Sequence, residues 1–291
     1  MFSDRFPYPL PVRTATTGTP ADAAVDLLRT RRFVALTGAG VSTDSGIPDY
    51  RGPNAPARTP MTYQEFVSGP AARQRYWARS HIGWARMRQA APNRGHAALA
   101  ALERFGTLRM LITQNVDGLH EAAGSCRLVA LHGRIADVVC LACGDRTSRR
   151  CLQERLTALN PGFDQEHAEA AVRPDGDVEL SVTAGFHVPP CANCGGVLKP
   201  DVVFFGENVP KDRVQCCYDA VDAAEALLVA GSSLTVLSGF RFVRHAHKRG
   251  IPVVIVNRGR TRADDLATVK LDVGTTDFLP ELSGACTAIA G

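Results

Sequence analysis

Cys140-Leu-Ala-Cys143 and Cys191-Ala-Asn-Cys194 are the residues whose type and spacing most directly specify a chemistry. Two C-x-x-C knuckles offer four thiolates. These would close a tetrahedral shell around one Zn2+ and leave no position for water, so the pattern points to a structural metal, not a catalytic one. Gly144 and Gly195 follow the pairs, where tight turns are needed. A redox C-x-x-C would make the second pair a coincidence, and four unligated cysteines are the plainer alternative. The separation of the pairs is long for a simple ribbon, so an insert is expected over roughly 151–190. Cys126, Cys151, Cys216, Cys217 and Cys286 have no matching spacing and are expected to be buried.

A second chemical signal lies at 33–52, FVALTGAGVSTDSGIPDYRG. It opens as a strand running into a glycine turn, but the dinucleotide fingerprint G-x-G-x-x-G fails at Thr43, where the third glycine belongs. Gly46 arrives three residues late, and no Asp or Glu closes the next strand to hold a ribose. A hydride-transferring dehydrogenase is therefore poorly supported. What survives is physical: Gly38 and Gly40 allow backbone to approach a phosphate, and a helix starting after them would favour its charge. His132, at the end of another apolar run, can take a proton near neutral pH. By itself it reads better as a satisfied structural histidine. The other seven histidines, including His245 and His247, are expected on solvated faces.

The elements that must position these residues are short buried strands. Apolar runs at 33–36, 109–112, 128–131, 226–229 and 253–256 suit a parallel sheet covered on both faces. Thr19-Pro20-Ala21-Asp22 predicts a helix N-terminus, with the helix running to about Thr30. Leu99, Leu102 and Phe105 are helically spaced and stop at Gly106. Val214, Cys217, Tyr218 and Val221 follow i, i+3, i+4, i+7. Alternating strand and helix predicts an α/β, doubly wound parallel Rossmann-like sheet with ligands at the carboxyl ends of strands. Every run ends in polar or glycine residues: Gly38-Ala39-Gly40, Gln114-Asn115-Val116-Asp117, His132-Gly133, Gly231-Ser232-Ser233 and Asn257. Any one of these could be an ordinary loop; all five together predict one crevice.

Bulk properties set bounds. The chain has 291 residues, 45% hydrophobic and 21% charged, and a net charge of +4 with no basic block, which argues against nucleic-acid binding. No apolar run is long enough to span a bilayer, so no membrane partner is expected. The proline-rich start lacks a secretory core and reads as a loose arm. Nine cysteines, an odd number, favour a reducing compartment with a metal site. The alanine- and arginine-rich composition suggests a bacterial cytoplasm, or a mitochondrial matrix if the source is eukaryotic.

The stretches GAGVSTDSGIPDYRG, PNRGHAAL, TQNVDGLHEAAGS, LHG, LKPDVVFFGE and GSSLTV, with the paired knuckles, resemble the sirtuins, NAD-dependent protein lysine deacylases. RYWARSHIGW, LQERLTALNPGF, PDGDVEL and LKPDVVFFGENV look most like the class II branch, which includes the mitochondrial lipoamidase-type sirtuin. The resemblance implies NAD as co-substrate, one structural Zn2+ on Cys140, Cys143, Cys191 and Cys194, and acyl-lysine proteins as partners of a monomer. The implied products are nicotinamide, O-acyl-ADP-ribose and free lysine. His132 matches the catalytic base, and Asn115 and Asp117 match the pair around the nicotinamide-side ribose. Gly38, Ala39, Gly40, Thr43, Ile47, Asp49, Tyr50, Arg51, Gln114, Gly231, Ser232, Ser233, Asn257 and Gly259 fall on the NAD-binding positions. Ile47 and Asp49 match the carboxamide pocket, and Tyr50 stands where the family has phenylalanine. Val202, Phe204 and Gly206 resemble the segment that pairs with substrate backbone.

The resemblance divides the chain into an arm (1–19), an NAD-binding domain (20–52, 93–133 and 201–291), a helical module (53–92) and a zinc-binding module with a long insert (134–200). Within the helical module, Tyr76 and Arg79 have a spacing similar to the pair that reads acidic acyl groups in the desuccinylase branch. If helical, they share a face, and Arg79 could hold a carboxylate bidentately. The expectation is that acidic or long acyl groups are removed faster than acetyl. Transfer of ADP-ribose to protein is the second reading within the same fold, and a zinc-knuckle binding module without catalysis is the third.

Overall fold

The computed structural model describes residues 18–49, 60–166 and 183–290. Most of the expected arm, the candidates Tyr50 and Arg51, and much of the insert lie outside the described residues. Nine strands follow in chain order among those described: β1 (Phe33–Thr37), β2 (Leu108–Thr113), β3 (Leu128–Ala130), β4 (Gly133–Cys140), β5 (Arg146–Ser148), β6 (Leu198–Val202), β7 (Ala226–Ala230), β8 (Val253–Val256) and β9 (Val269–Leu271).

Six of them form one parallel sheet in the order β3-β2-β1-β7-β8-β9. This is the doubly wound order, with its switch point between β1 and β7. Every residue of β1, β7 and β8 is buried, because helices cover both faces and leave no polar side to alternate. Successive side chains of β1 enter opposite cores. Phe33 and Ala35 pack with Leu28, Leu99 and Leu279 from helices Pro20–Arg29, Arg94–Arg104 and Thr275–Ala290. Val34 and Leu36 pack with Cys217, Val221, Phe242 and Val243 from helices Lys211–Asp222 and Leu237–Lys248. The first helix starts as expected: Thr19 and Asp22 form a reciprocal capping box.

The chain leaves the large sheet at His132. Gly133, with φ of 81°, begins β4, and a Cβ there would lie 2.0 Å from the Asp201 carbonyl oxygen. Only glycine admits that approach. The second sheet, β5-β4-β6, is antiparallel. Its core joins β4 and β6 to helices Pro70–Met87 and Arg149–Leu159 through Trp77, Val138, Leu152, Leu156 and Leu198. β6 belongs wholly to this sheet, so it runs across the boundary expected near residue 200.

Two expectations about isolated residues are corrected. Cys126, Cys151 and Cys216 are exposed, and only Cys217 and Cys286 of the five unmatched cysteines are buried. Three histidines are interior: His81, His96 and His120 are at most 1% exposed. Each lies on a helix face turned inward by its apolar neighbours, a context that residue type alone does not announce.

Candidate functional site

A cavity of about 1100 Å³ opens at the carboxyl ends of the central strands. Single-ligand sites usually occupy roughly 300 to 1000 Å³, so this one stands at the upper end of what a ligand site offers. Every candidate site residue outside the cysteine cluster that the structure describes lines this cavity, with one exception, Arg79.

The glycine turn after β1 meets the loop after β7. Gly40 N–H donates to the Gly231 carbonyl at 2.9 Å. A Cβ on Gly38 would meet that same oxygen at 2.8 Å, and one on Gly231, which has φ of 62°, would meet Val41 N at 2.4 Å. The glycines thus let the loops after β1 and β7 touch at the switch point and shape the cavity floor. No long helix follows. Ala39–Val41 and Thr43–Ser45 are single 3-10 turns, too short to supply the helix-terminus charge expected from sequence.

Ser42, fully buried, joins this loop to the residues after β2. Its Oγ donates to Asp117 Oδ2 at 2.7 Å and accepts from Asn115 Nδ2 at 3.1 Å. Asn115 Nδ2 also reaches the Gly38 carbonyl, at 3.1 Å, and Asp117 Oδ1 accepts from Leu119 N–H at 2.9 Å. Burial pushes the Asp117 carboxyl above the usual carboxylate range, and the Leu119 and Ser42 donors pull the other way.

His132 is partly buried at the cavity wall. Its Nδ1 lies 2.9 Å from the Gln114 carbonyl oxygen and its Nε2 lies 2.8 Å from Ser238 Oγ. Burial holds the imidazole below its ordinary range; the Gln114 carbonyl opposes this and the Arg213 charge adds to it. The ring is therefore neutral, and able to accept a proton, at physiological pH.

The Val202–Gly206 candidates sit beside it. Val203 N–H donates to the His132 carbonyl at 2.8 Å, and Tyr63 N–H donates to the Phe205 carbonyl at 2.9 Å. Lys199, buried, and Glu207, half-buried, bracket the segment with an ion pair at 3.1 Å, and Glu207 Oε2 accepts from Phe204 N–H at 2.9 Å. Tyr76 packs its ring 5.3 Å from Phe66 and 5.2 Å from Phe204. Arg79 follows on the same helix, Pro70–Met87, but is not part of the cavity wall. The two share a helix without sharing the site.

At the far end, Gln114 Nε2 donates to Ser232 Oγ at 2.8 Å. Gly259 N–H is held by Asp272 at 2.8 Å beside Asn257. Sequence reading missed Ser42, Asp44, Arg213 and Ser238. Ser42 and Asp44 lie inside the glycine stretch and could have been suspected; Arg213 and Ser238 carry no local signal.

The four knuckle cysteines also converge. Their Sγ atoms all lie within 4.8 Å of one another, with Cys140–Cys194 at 3.5 Å and Cys143–Cys191 at 3.9 Å. A tetrahedral zinc–thiolate shell with bonds near 2.3 Å needs sulfurs about 3.8 Å apart, so the cluster fits. Gly144 and Gly195 take φ of 73° and 75° and donate back to Cys140 and Cys191 carbonyls. This is the turn role expected of them.

The Sir2 family profile matches residues 38–238. An NAD-dependent protein deacetylase of Mycobacterium avium is 58% identical over 263 residues, covering 89% of this chain and 93% of the relative. An NAD-dependent protein deacylase of Caenorhabditis elegans is 46% identical, covering 86% and 90%. Among solved structures, a complex described as Sir2 with a p53 peptide and NAD+ superposes with a TM-score of 0.71 at 32% identity, covering 91% of this chain and 98% of that one. The switch-point cavity, the four-thiolate cluster and these likenesses agree: the chain belongs to the Sir2 family.

Proposed function

We propose that this protein removes acyl groups from protein lysine side chains with NAD as co-substrate. One observation carries the reading: a single cavity unites a neutral histidine, the Ser42-linked Asn115 and Asp117, and the segment Val202–Gly206. Bound NAD would supply a glycosidic bond whose cleavage frees nicotinamide and opens the ribose carbon to the acyl amide oxygen. In this reading Gly38, Ala39, Gly40, Thr43, Gly231, Ser232, Ser233, Asn257 and Gly259 hold the nucleotide, and Ile47 and Asp49 receive the carboxamide end. Asn115 and Asp117 orient the reacting ribose and His132 Nε2 accepts a hydroxyl proton. Val202, Phe204 and Gly206 take the substrate backbone. The cysteine cluster holds zinc far from this chemistry in role: all four thiolates are used and none is open.

Mass spectrometry of an acyl-lysine peptide after incubation with NAD tests the proposal. Loss of the acyl mass with nicotinamide release is expected. Gain of ADP-ribose would favour transfer to protein instead, and an unchanged peptide with no nicotinamide would refute both. His132→Ala should retain NAD binding but lose roughly a hundred- to ten-thousandfold in turnover. Near-normal turnover would remove His132 from the mechanism.

For acyl preference and branch, we infer a class II enzyme that takes dicarboxylic or long acyl groups faster than acetyl. The class II stretches quoted above and the place of Tyr76, a hydroxyl-bearing ring on the cavity wall packed beside Phe66 and Phe204, support this. A peptide panel carrying acetyl, glutaryl, hydroxymethylglutaryl and lipoyl lysine distinguishes the cases, run on wild type, Tyr76→Phe and Arg79→Met. Acetyl as best substrate refutes the preference. An unchanged preference in Arg79→Met removes Arg79 from it, as its absence from the wall suggests.

A further inference from the structure

His132 has a hydrogen bond on each ring nitrogen, and the two differ in kind. Gln114 presents a carbonyl oxygen at 2.9 Å, which only accepts, so Nδ1 carries the proton. Nε2 of the neutral ring is then an acceptor, and Ser238 Oγ donates to it at 2.8 Å. Ser238 stands in the first turn of helix Leu237–Lys248 and shares the cavity wall with His132.

Three features bring that turn within reach. Leu234, buried, holds a left-handed φ of 55°, which turns the chain sharply after β7; such backbone is costly for an L-residue and persists where packing imposes it. Gln114 Nε2 donates to Ser232 Oγ at 2.8 Å and ties this turn to the residue that holds Nδ1. Gly239 has no side chain where a Cβ would lie 2.5 Å from Gln114 Oε1. Gln114 and the Ser238 turn therefore grip opposite edges of one ring.

We propose that Ser238 is a positioning residue for His132, holding the ring so that Nε2 is the proton-accepting atom presented to the cavity. This rests on His132 acting as base in the deacylation reading. The proton balance is simple. The Ser238 O–H first turns off the single Nε2 lone pair, a substrate hydroxyl gives its proton to Nε2 there, and the Ser238 oxygen then accepts from the new Nε2–H. Nδ1–H and the Gln114 carbonyl are unchanged. The charged groups around the ring are Arg213 of helix Lys211–Asp222, which donates to the Leu131 carbonyl at 3.2 Å, and Asp117 and Arg241, which share the cavity. The amino end of helix Leu237–Lys248 adds partial positive charge there and favours the neutral ring.

Ser238→Ala removes both the donor to neutral Nε2 and the acceptor for the protonated ring, and it opens the ring to water, so the balance between the two ring forms changes. The acid limb of kcat/KM should therefore move by about half a pH unit or more. kcat should fall about tenfold, short of the loss in His132→Ala, with the KM for NAD within about twofold of wild type. Ser238→Thr, which keeps the hydroxyl, should restore the profile. A lowered kcat with an unmoved pH profile would make Ser238 merely structural and overturn the proposal, as would wild-type behaviour. If Ser238→Ala fails to fold, the wild-type protein still decides. Nitrogen-15 histidine spectra, with His132→Ala for assignment, should show Nδ1–H at His132, and an Nε2–H form overturns the proposal. An active His132→Ala enzyme would instead defeat the reading on which it rests.

Discussion

The interior pair His96 and His120 shows how much a residue's protonation depends on what surrounds it. Their rings lie 4.7 Å apart, behind the glycine turn, and His120 Nε2 bonds Thr37 Oγ1 at 3.0 Å. Burial pushes His96 down to about 4 and His120 down to about 3, and the neighbouring ring adds to the latter. Both are neutral in the fold, whereas in the unfolded chain each titrates near its ordinary 6.5. As pH drops below that value the unfolded state takes up protons that the folded state refuses, so stability falls. The loss runs from about pH 6.5 towards about 4 and reaches as much as about 2 kcal/mol per ring at pH 5. Urea midpoints at pH 7.5, 6 and 5 measure it. A steady decline is expected, and His120→Gln should flatten it. A midpoint independent of pH would show that the rings are accessible in the fold.

At the scale of elements, one side chain joins the zinc-binding sheet to the helical module. Arg149 opens helix Arg149–Leu159 and is completely buried. Its guanidinium lies 5.4 Å from the Trp77 ring and 5.1 Å from the Trp84 ring, and its Nη2 donates to the Ser80 carbonyl at 3.1 Å. Nε and Nη1 have no hydrogen-bond partner among the described residues, and burial pushes the group down to about 10. Stacking on two indoles recovers part of the desolvation cost, but a buried charge of this kind is a poor source of net stability. Arg149→Met, which keeps the stem and discards the charge, should therefore melt at or above the wild-type temperature. Arg149→Ala empties the space between the indoles and should cost about 2 kcal/mol or more. Thermal melts of the two variants order them, and an alanine variant as stable as the methionine one would deny the packing role.

Across the whole molecule, the metal cluster and the cavity are coupled through one core. Cys140 and Cys191 pack in the same cluster as Trp77, Phe186 and Leu198, and that cluster also contains the cavity residues Tyr76 and Phe204. The six-stranded sheet has separate cores on its two faces. Purified protein should hold about one zinc per chain. Stripping it with a strong chelator, or Cys140→Ser, should lower the melting temperature and weaken acyl-peptide binding, because metal-site free energy is folding free energy. In the proposed reading NAD is held at the strand ends of the large sheet, so its binding should persist longer than peptide binding. Metal analysis with calorimetry for each ligand tests this, and a fully active Cys140→Ser protein would deny the cluster a structural role.

The doubly wound sheet, the strand-end location of the site and the four-cysteine cluster were all legible in the sequence. Each is written in neighbouring residues: period and run length choose strands, C-x-x-C spacing sets a ligand half-site, and glycines mark turns. Contacts between distant segments were not legible. Only the tertiary structure shows that Gly38 and Gly40 meet Gly231, or that Ser238 reaches His132 across 106 positions. It also decided that Tyr76 enters the cavity wall while Arg79, three residues on, does not. The same holds for the interior histidines and the exposed cysteines, whose types predict solvation and burial the other way round. Residue type and spacing encode what a segment can do locally. Which partner it meets is set by the packing of the whole chain, which no short stretch contains.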